Sequence, residues 1–157
     1  MLIYMNPAML FRQINTLYYS MLGGQVLFAV VAVFLLEHPQ AFRSGWPAAP
    51  LGLVLPLVAV GALGAAFFIN RKRLAEGSAE SDLEAKLAHY RSTVIVRSAL
   101  VEGMTLMSIV FFMLELNTTY LVFFGLGLLV FLYFRPSGDE FSRYYGLSAA
   151  EQSELRH

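Results

Sequence analysis

The chain has 157 residues, of which 57% are hydrophobic and 14% are charged, and its mean hydropathy is +0.60. This composition excludes an ordinary soluble domain and predicts an integral membrane protein. The formal net charge is zero, so there is no basic field for nucleic acid. The sequence lacks cysteine, and its three histidines have no metal-ligand spacing. We therefore expect no metal, no cofactor and no enzymatic activity.

The first predicted span covers residues 17–36, within a helix that begins at Pro7. Asn6 is a suitable N-cap for that helix, and proline is favoured at the first helical position. The apolar run is too long for the core of a secretory signal, so we interpret it as an uncleaved span. Helix breakers in residues 37–49 predict a loop, in which Trp46 is expected to anchor at the membrane interface.

The second predicted span covers residues 50–69. The pattern Gly61-x-x-Gly64 gives this helix a small-residue face, which favours close packing against another helix. Arg71-Lys72-Arg73 follows directly after the apolar residues. A basic cluster at this position marks the cytoplasmic side and is suited to anionic lipid headgroups.

Residues 70–93 are predicted to form a cytoplasmic loop that leads into the third span, residues 94–114. Ser81-x-x-Glu84 is a capping box, and no proline follows it before the end of the apolar segment. We therefore expect one nearly continuous helix from this cap to Glu115. Its first turns project from the membrane as a cytoplasmic extension of the third span.

The fourth predicted span covers residues 119–134, and Arg135-Pro136 ends it. The tail, residues 135–157, is expected to be cytoplasmic, with a turn at Ser137–Glu140 and a short helix after the capping box Ser148-x-x-Glu151. The expected fold is all-α. It is a polytopic integral membrane protein whose four transmembrane helices form two hairpins in one domain over the whole chain.

The basic residues set the predicted orientation. If both termini share a side with the 70–93 loop, that side holds all eleven Lys and Arg residues except Arg43, which makes ten. By the positive-inside rule this side is cytoplasmic, and we expect the inner membrane of a bacterium. Arg97 lies near the cytoplasmic end of the third span, where we expect it to snorkel to the lipid headgroups.

The third span carries a polar stripe around a carboxylate. Four polar residues spaced 7, 4 and 3 apart share one helix face: Arg91, Ser98, Glu102 and Thr105. An acid at mid-bilayer costs at least ~2.5 kcal/mol on insertion scales, so Glu102 is a candidate functional residue. We expect its carboxyl to face the helix bundle, and the small Gly103 beside it favours the close approach of another helix.

A weak internal repeat relates the first and third spans. A shift of 78 residues aligns five identical residues and places Gln25 opposite Gly103. The repeat predicts two related hairpins in parallel orientation, with an amide close to the acid. The resulting candidate ion-binding set is Glu102, Thr105, Ser98 and Gln25.

Residues 91–105 resemble the carboxylate helix of the ring proteolipid of rotary ATPases, subunit c. Members of that family show Arg, Thr, Ala, Glu and Thr at set intervals, and in this chain those positions are Arg91, Thr93, Ala99, Glu102 and Thr105. The resemblance implies that the glutamate is protonated and deprotonated, and that copies of the chain assemble.

Two functional hypotheses remain open. The first is a proton- or ion-binding subunit that uses the intramembrane Glu102. The second is a non-catalytic accessory or assembly subunit of a larger membrane complex. A single acid, with no second acid or basic partner in the other spans, argues against a self-sufficient transporter. The expected partners are the lipid bilayer and either further copies of the chain or a larger membrane complex.

Overall fold

The computed structural model describes residues 6–35, 42–80 and 82–155, in which every regular element is helical. Six helices follow one another, with a 3-10 turn after the second (Gly77–Ala79): α1 Pro7–Leu35, α2 Leu51–Glu76, α3 Leu83–Glu115, α4 Thr119–Tyr133, α5 Gly138–Tyr145 and α6 Ala149–Glu154. The predicted all-α class is confirmed. The helices α1 to α3 are long and apolar enough to cross a membrane, as expected of a membrane protein.

The helix α4 is shorter than the other apolar helices. Its 15 residues span about 22 Å, whereas a bilayer core is about 30 Å thick. The chain bends by 60° between α4 and α5, and these two helices qualify as a span only when they are counted together. The predicted fourth span, residues 119–134, coincides with α4.

The helix α3 is the centre of the fold. It packs against α1, α2 and α4, whereas α1 and α2 make few backbone contacts with each other. The prediction that the first two spans pack together as a hairpin is therefore wrong. Both helices bury their apolar stripes against α3, which is the longest helix and is buried on several sides.

The helix α1 runs parallel to α3. Phe11 stacks on Tyr90 with ring centroids 6.2 Å apart, and about one turn past the middle of α1, Gln25 bonds Thr105. These contacting residues are 79 and 80 positions apart, close to the shift of 78 that relates the two predicted spans. The parallel orientation predicted from the repeat is thus present in the packing.

The helix α2 runs antiparallel to α3 and extends beyond its predicted end. Leu55, near its start, clusters with Phe112 near the end of α3. Arg73, near its end, bonds Ser92 near the start of α3. Because Arg and Lys are good helix formers, the basic cluster continues the helix. The predicted connection therefore begins later than expected, because residues 70–76 belong to α2, whereas the helix expected after the Ser81 cap is present as α3.

The helix α3 is a single unbroken helix of 33 residues, as predicted. Its N-cap is Asp82, whose Oδ1 accepts a hydrogen bond from Ala85 N at 2.7 Å. The predicted cap, Ser81, lies outside the described residues. The helix ends before Leu116, whose backbone is left-handed with φ 53°.

Two connections are joined at the end of the bundle that lies opposite α5. Arg43 N donates a hydrogen bond to Leu116 O at 2.8 Å, and Thr118 N donates to Arg43 O at 3.0 Å. Asn117 Nδ2 donates to Gly45 O at 3.1 Å. The connection between α1 and α2 is thereby tied to the turn between α3 and α4.

The helix α5 begins where the sequence predicts only a turn. Ser137 Oγ accepts a hydrogen bond from Glu140 N at 3.1 Å, which caps the helix. The side chains of Phe141 and Tyr145 are buried and join the main apolar core together with Tyr90 of α3. The tail therefore folds back against the bundle. The capping box predicted at the start of α6 is present.

Candidate functional site

The four residues of the predicted polar stripe of α3 differ in how deeply they are buried. Ser98 and Thr105 are buried, Glu102 is half-buried and Arg91 is exposed. Thr105 Oγ1 donates a hydrogen bond to Gln25 Oε1 at 2.6 Å, and both side chains are fully buried. The amide that was predicted near the acid therefore bonds the threonine one turn further on and links α1 to α3.

Two buried polar atoms of this region have no hydrogen-bond partner within the described ranges: Gln25 Nε2 and Ser98 Oγ. A buried polar group left unbonded costs roughly 1–3 kcal/mol. Native proteins contain few such groups, and each one requires an explanation. The buried side of the middle of α3 therefore carries polar side chains whose hydrogen bonds are not all made within the described chain.

The carboxylate of Glu102 accepts no hydrogen bond from the part of the chain that the structure describes, Gln25 and Thr105 included. The backbone carbonyl of Glu102 lies 2.9 Å from Thr105 Oγ1 and shares the single hydroxyl proton with Gln25 Oε1. Its side chain lies between the buried face of α3 and an exposed one. Such a carboxyl can take up a proton or accept hydrogen bonds, and both require a partner beyond the side chains around it.

One face of α3 has no helix packed on it. Its exposed residues follow each other at intervals of 4, 7, 4, 7 and 4, which makes them a single stripe along the helix: Ala88, Ser92, Ala99, Gly103, Val110 and Leu114. We call this stripe the open face of α3. A Cβ atom added at Gly103 would meet nothing within 4 Å. Glu102 adjoins this face in the part where its residues are smallest.

The predicted glycine contacts are placed differently by the structure. Gly61 and Gly64 are exposed, and a Cβ atom at either would meet nothing within 4 Å. The prediction that these two glycines pack against another helix is therefore wrong within the described chain. The helix α2 packs on α3 through its other face. A close approach occurs at Gly127 of α4 instead, where a Cβ atom would overlap the Thr105 side chain.

The prediction that Arg97 snorkels to the lipid headgroups is wrong. Its side chain is fully buried within the protein. Its two terminal nitrogens contact the two carboxylate oxygens of Glu140 at 2.8 and 2.9 Å. Nη1 also donates to Asn70 Oδ1 at 2.6 Å, and Nη2 donates to Phe134 O at 2.7 Å. The guanidinium is neutralised inside the protein because α5 folds back and supplies the acid.

Tyr90 completes what we call the Arg97–Glu140 cluster. Its hydroxyl donates to Glu140 Oε2 at 2.6 Å and accepts from Ser137 N at 3.2 Å. Four helices or their ends meet at this cluster: α2, α3, α4 and α5. The available signal in the sequence was the pattern Ser137-x-x-Glu140, which has the spacing of the two capping boxes that were recognised.

The other residues predicted to contact headgroups lie at the surface. Arg71 and Lys72 are exposed, and Arg73 Nη1 donates to Ser92 Oγ at 2.8 Å. Trp46 is 65% exposed and its ring meets Phe123 edge-on. These positions suit a membrane interface, and their contact with lipid stays a prediction.

The described residues contain no group of three His, Cys, Asp or Glu side chains that could hold a metal ion. Comparisons with protein-family models, with curated proteins and with solved structures gave no match. The resemblance of residues 91–105 to subunit c of rotary ATPases therefore stays a prediction.

Proposed function

We propose that this chain is a non-catalytic accessory or assembly subunit of a larger membrane complex. The open face of α3 docks on a transmembrane helix of another protein, and Glu102 is the polar contact. One observation carries the proposal: a carboxylate within an apolar segment adjoins an unoccupied helix face and accepts no hydrogen bond from the described side chains. A charge at this depth is expensive without a partner.

The proposal includes a topology of four spans with both termini in the cytoplasm, in the inner membrane of a bacterium. The ten-to-one distribution of Lys and Arg supports it. The parallel directions of α1 and α3, with α2 antiparallel, fit the same arrangement. In this topology α4 is the fourth span, and the Arg97–Glu140 cluster lies at the cytoplasmic end of the bundle.

Charge favours a different protein over a second copy as the partner. Arg97 is the only Lys or Arg in residues 94–114, and Glu140 already neutralises it. A second copy would therefore bring no free cation from α3 to Glu102. A helix that carries a lysine, an arginine or an amide at this depth would satisfy the carboxylate, and the small Ala99 and Gly103 leave room for its backbone.

The second candidate is a subunit that binds a proton or another cation at Glu102. The unbonded carboxyl favours it, since a proton carrier must be able to gain and lose its proton. The predicted ligand set is not assembled in the chain, however. The Thr105 hydroxyl is bonded to Gln25 and to the Glu102 carbonyl, and the carboxylate joins neither. Ligands from another chain would have to complete the site.

The experiment measures the mass of the particle that mild detergent extracts from native membranes. It compares two matched glycine variants. Gly103→Leu fills the open face, whereas Gly64→Leu adds the same side chain to the exposed side of α2. We expect Gly103→Leu to reduce the particle to the single 17.5 kDa chain and Gly64→Leu to leave it assembled. A single chain already in the unaltered protein, or equal loss in both variants, would contradict docking through this face.

Glu102→Gln separates the two candidates. Glutamine keeps the shape and the hydrogen-bonding capacity of the side chain but cannot release a proton. Docking predicts that the Gln variant still assembles and that Glu102→Leu assembles less well. Ion binding predicts an assembled Gln particle that has lost proton or sodium transport in reconstituted vesicles.

A further inference from the structure

A groove of about 370 Å³ lies between α1 and the first turns of α3. Its apolar end is formed by Ile14 of α1 together with Ile95 and Val96 of α3. Arg91 and Ser92, which immediately precede the apolar segment of α3, line its middle, and beyond them the lining continues through Leu87 and Ala88 to Glu84. The groove thus changes from cationic to apolar at the depth where a bilayer changes from headgroups to hydrocarbon.

A second guanidinium is bonded to the serine that lines the middle of this groove. Arg73 of α2 donates a hydrogen bond to Ser92 Oγ at 2.8 Å, so the serine is shared between the groove and the arginine. Arg91 is exposed and has no salt bridge within the described part of the chain. The groove also contains one acid, Glu84, which is seven residues before Arg91 and about 10 Å further along the helix.

We propose that this groove binds one anionic phospholipid of the cytoplasmic leaflet. The phosphate lies at Arg91 and Ser92, with Arg73 behind the serine, and an acyl chain follows Ile95 and Val96 into the bilayer. Two guanidiniums beside a hydroxyl provide charge and hydrogen bonds for phosphate oxygens. The single acid lies on the side away from the membrane, where it does not meet the phosphate.

This site is independent of the proposed docking contact. Ser92 and Gly103 are eleven residues apart, which is about 16 Å along α3. The docking contact uses the hydrocarbon depth of the open face, whereas the phosphate lies at its interfacial end. The lipid site rests on the proposed topology but not on the docking contact, so the two binding tests fail independently.

The test uses the full chain in detergent micelles and counts bound lipids by native mass spectrometry. The probes are phosphatidylglycerol, phosphatidylcholine with the same acyl chains, and glycerol phosphate as a headgroup without chains. We expect retention of one phosphatidylglycerol, weak retention of phosphatidylcholine and no competition by glycerol phosphate. Full competition by glycerol phosphate would overturn the lipid assignment, and equal retention of both lipids would overturn the role of charge.

Matched variants locate the phosphate. We expect Arg91→Gln to weaken phosphatidylglycerol binding about fivefold, the factor for one cation at an anionic surface. Lys72→Gln removes an exposed charge that does not line the groove, and we expect less than about a twofold change. Equal losses in the two variants would mean diffuse attraction to basic residues and would overturn the site. Ala88→Trp fills the groove without changing charge, and binding that survives it would also overturn the site.

Discussion

Arg97 and Glu102 are five residues apart on α3, yet the protein surrounds their charges in opposite ways. Arg97 is fully buried and bonded to a carboxylate, an amide and a carbonyl. Glu102 is half-buried beside an unoccupied helix face, and no described side chain bonds its carboxylate. In the first arrangement both terminal nitrogens of the guanidinium are bonded within the chain and only Nε has no partner among the described residues, so the charge is neutralised and the contact stabilises the fold. The second is incomplete, which is why we assign interaction with another molecule to it and not to the arginine.

The largest expected effect is at the Arg97–Glu140 cluster. Glu140→Ala leaves the buried guanidinium unpaired, and breaking a buried pair costs about 3–5 kcal/mol. We expect about 3 kcal/mol, because the Glu140 side chain is 21% exposed. The free energy of unfolding in a detergent titration measures this loss. Asp139→Ala, on the adjacent exposed residue of α5, is the control, and equal effects of the two would remove the structural role of the cluster.

A smaller effect is expected about one turn past Glu102, at the hydrogen bond from Thr105 to Gln25. Thr105→Val removes the donor and leaves the buried amide with no bond to either atom, so we expect a loss of about 0.6–1.7 kcal/mol, the range of such bonds in membranes. Gln25→Leu removes the amide itself and should cost less. The same unfolding titration compares them, and a Leu variant less stable than the Val variant would contradict this account of the unbonded amide.

A pH-dependent effect is expected where α6 contacts the first turns of α3. Lys86 Nζ contacts Glu151 Oε1 at 2.8 Å, and this hydrogen bond lowers the pKa of Glu151 below its usual range. A lowered folded-state pKa stabilises the protein above the unfolded pKa of about 4.3 and loses that stabilisation as pH falls through the folded value. For a pair near the surface this is about 0.2–1 kcal/mol.

Hydrogen exchange of the α6 amides measures this effect. We expect protection to decrease between about pH 5 and the lower folded-state pKa. Lys86→Gln should remove most of that pH dependence. An unchanged pH profile in the Gln variant would show that the pair does not hold α6.

The smallest effect is expected at Glu102 in the isolated chain. Because its carboxylate has no bond to lose, Glu102→Leu should change the free energy of unfolding by less than about 0.5 kcal/mol, as surface substitutions do. The two acids of one protein would then differ several-fold in their contribution to the free energy of unfolding. A loss at Glu102 as large as that at Glu140 would mean that this acid is bonded within the fold.

Local patterns allowed correct prediction of the helical class, the unbroken α3 and the capping box of α6. The proximity of Gln25 to the middle of α3 followed from the repeat. The burial of Arg97 could not be predicted from its surroundings in sequence, because its partner Glu140 is 43 residues away and reaches it only through the fold of the tail. Snorkelling was the reasonable expectation for an arginine without that partner.

The packing glycines show a second limit of sequence reasoning. Gly61, Gly64 and Gly127 are the same residue type in similar apolar surroundings, and only Gly127 meets a neighbouring helix. Which face of a helix is covered depends on which helices pair. Here α2 pairs with α3 and not with α1. This pairing cannot be predicted from the hydropathy of the individual spans.

The short α4 has a consequence for the bilayer itself. In the proposed topology the apolar part of α1, residues 17–35, is about 28 Å long, whereas α4 provides about 22 Å. A mismatch of about 6 Å within one small bundle is relieved when the helices tilt and the lipids compress on one side. The protein would then sit in a bilayer that is thinner beside α4 than beside α1, and such a thickness gradient favours neighbours whose own spans are short.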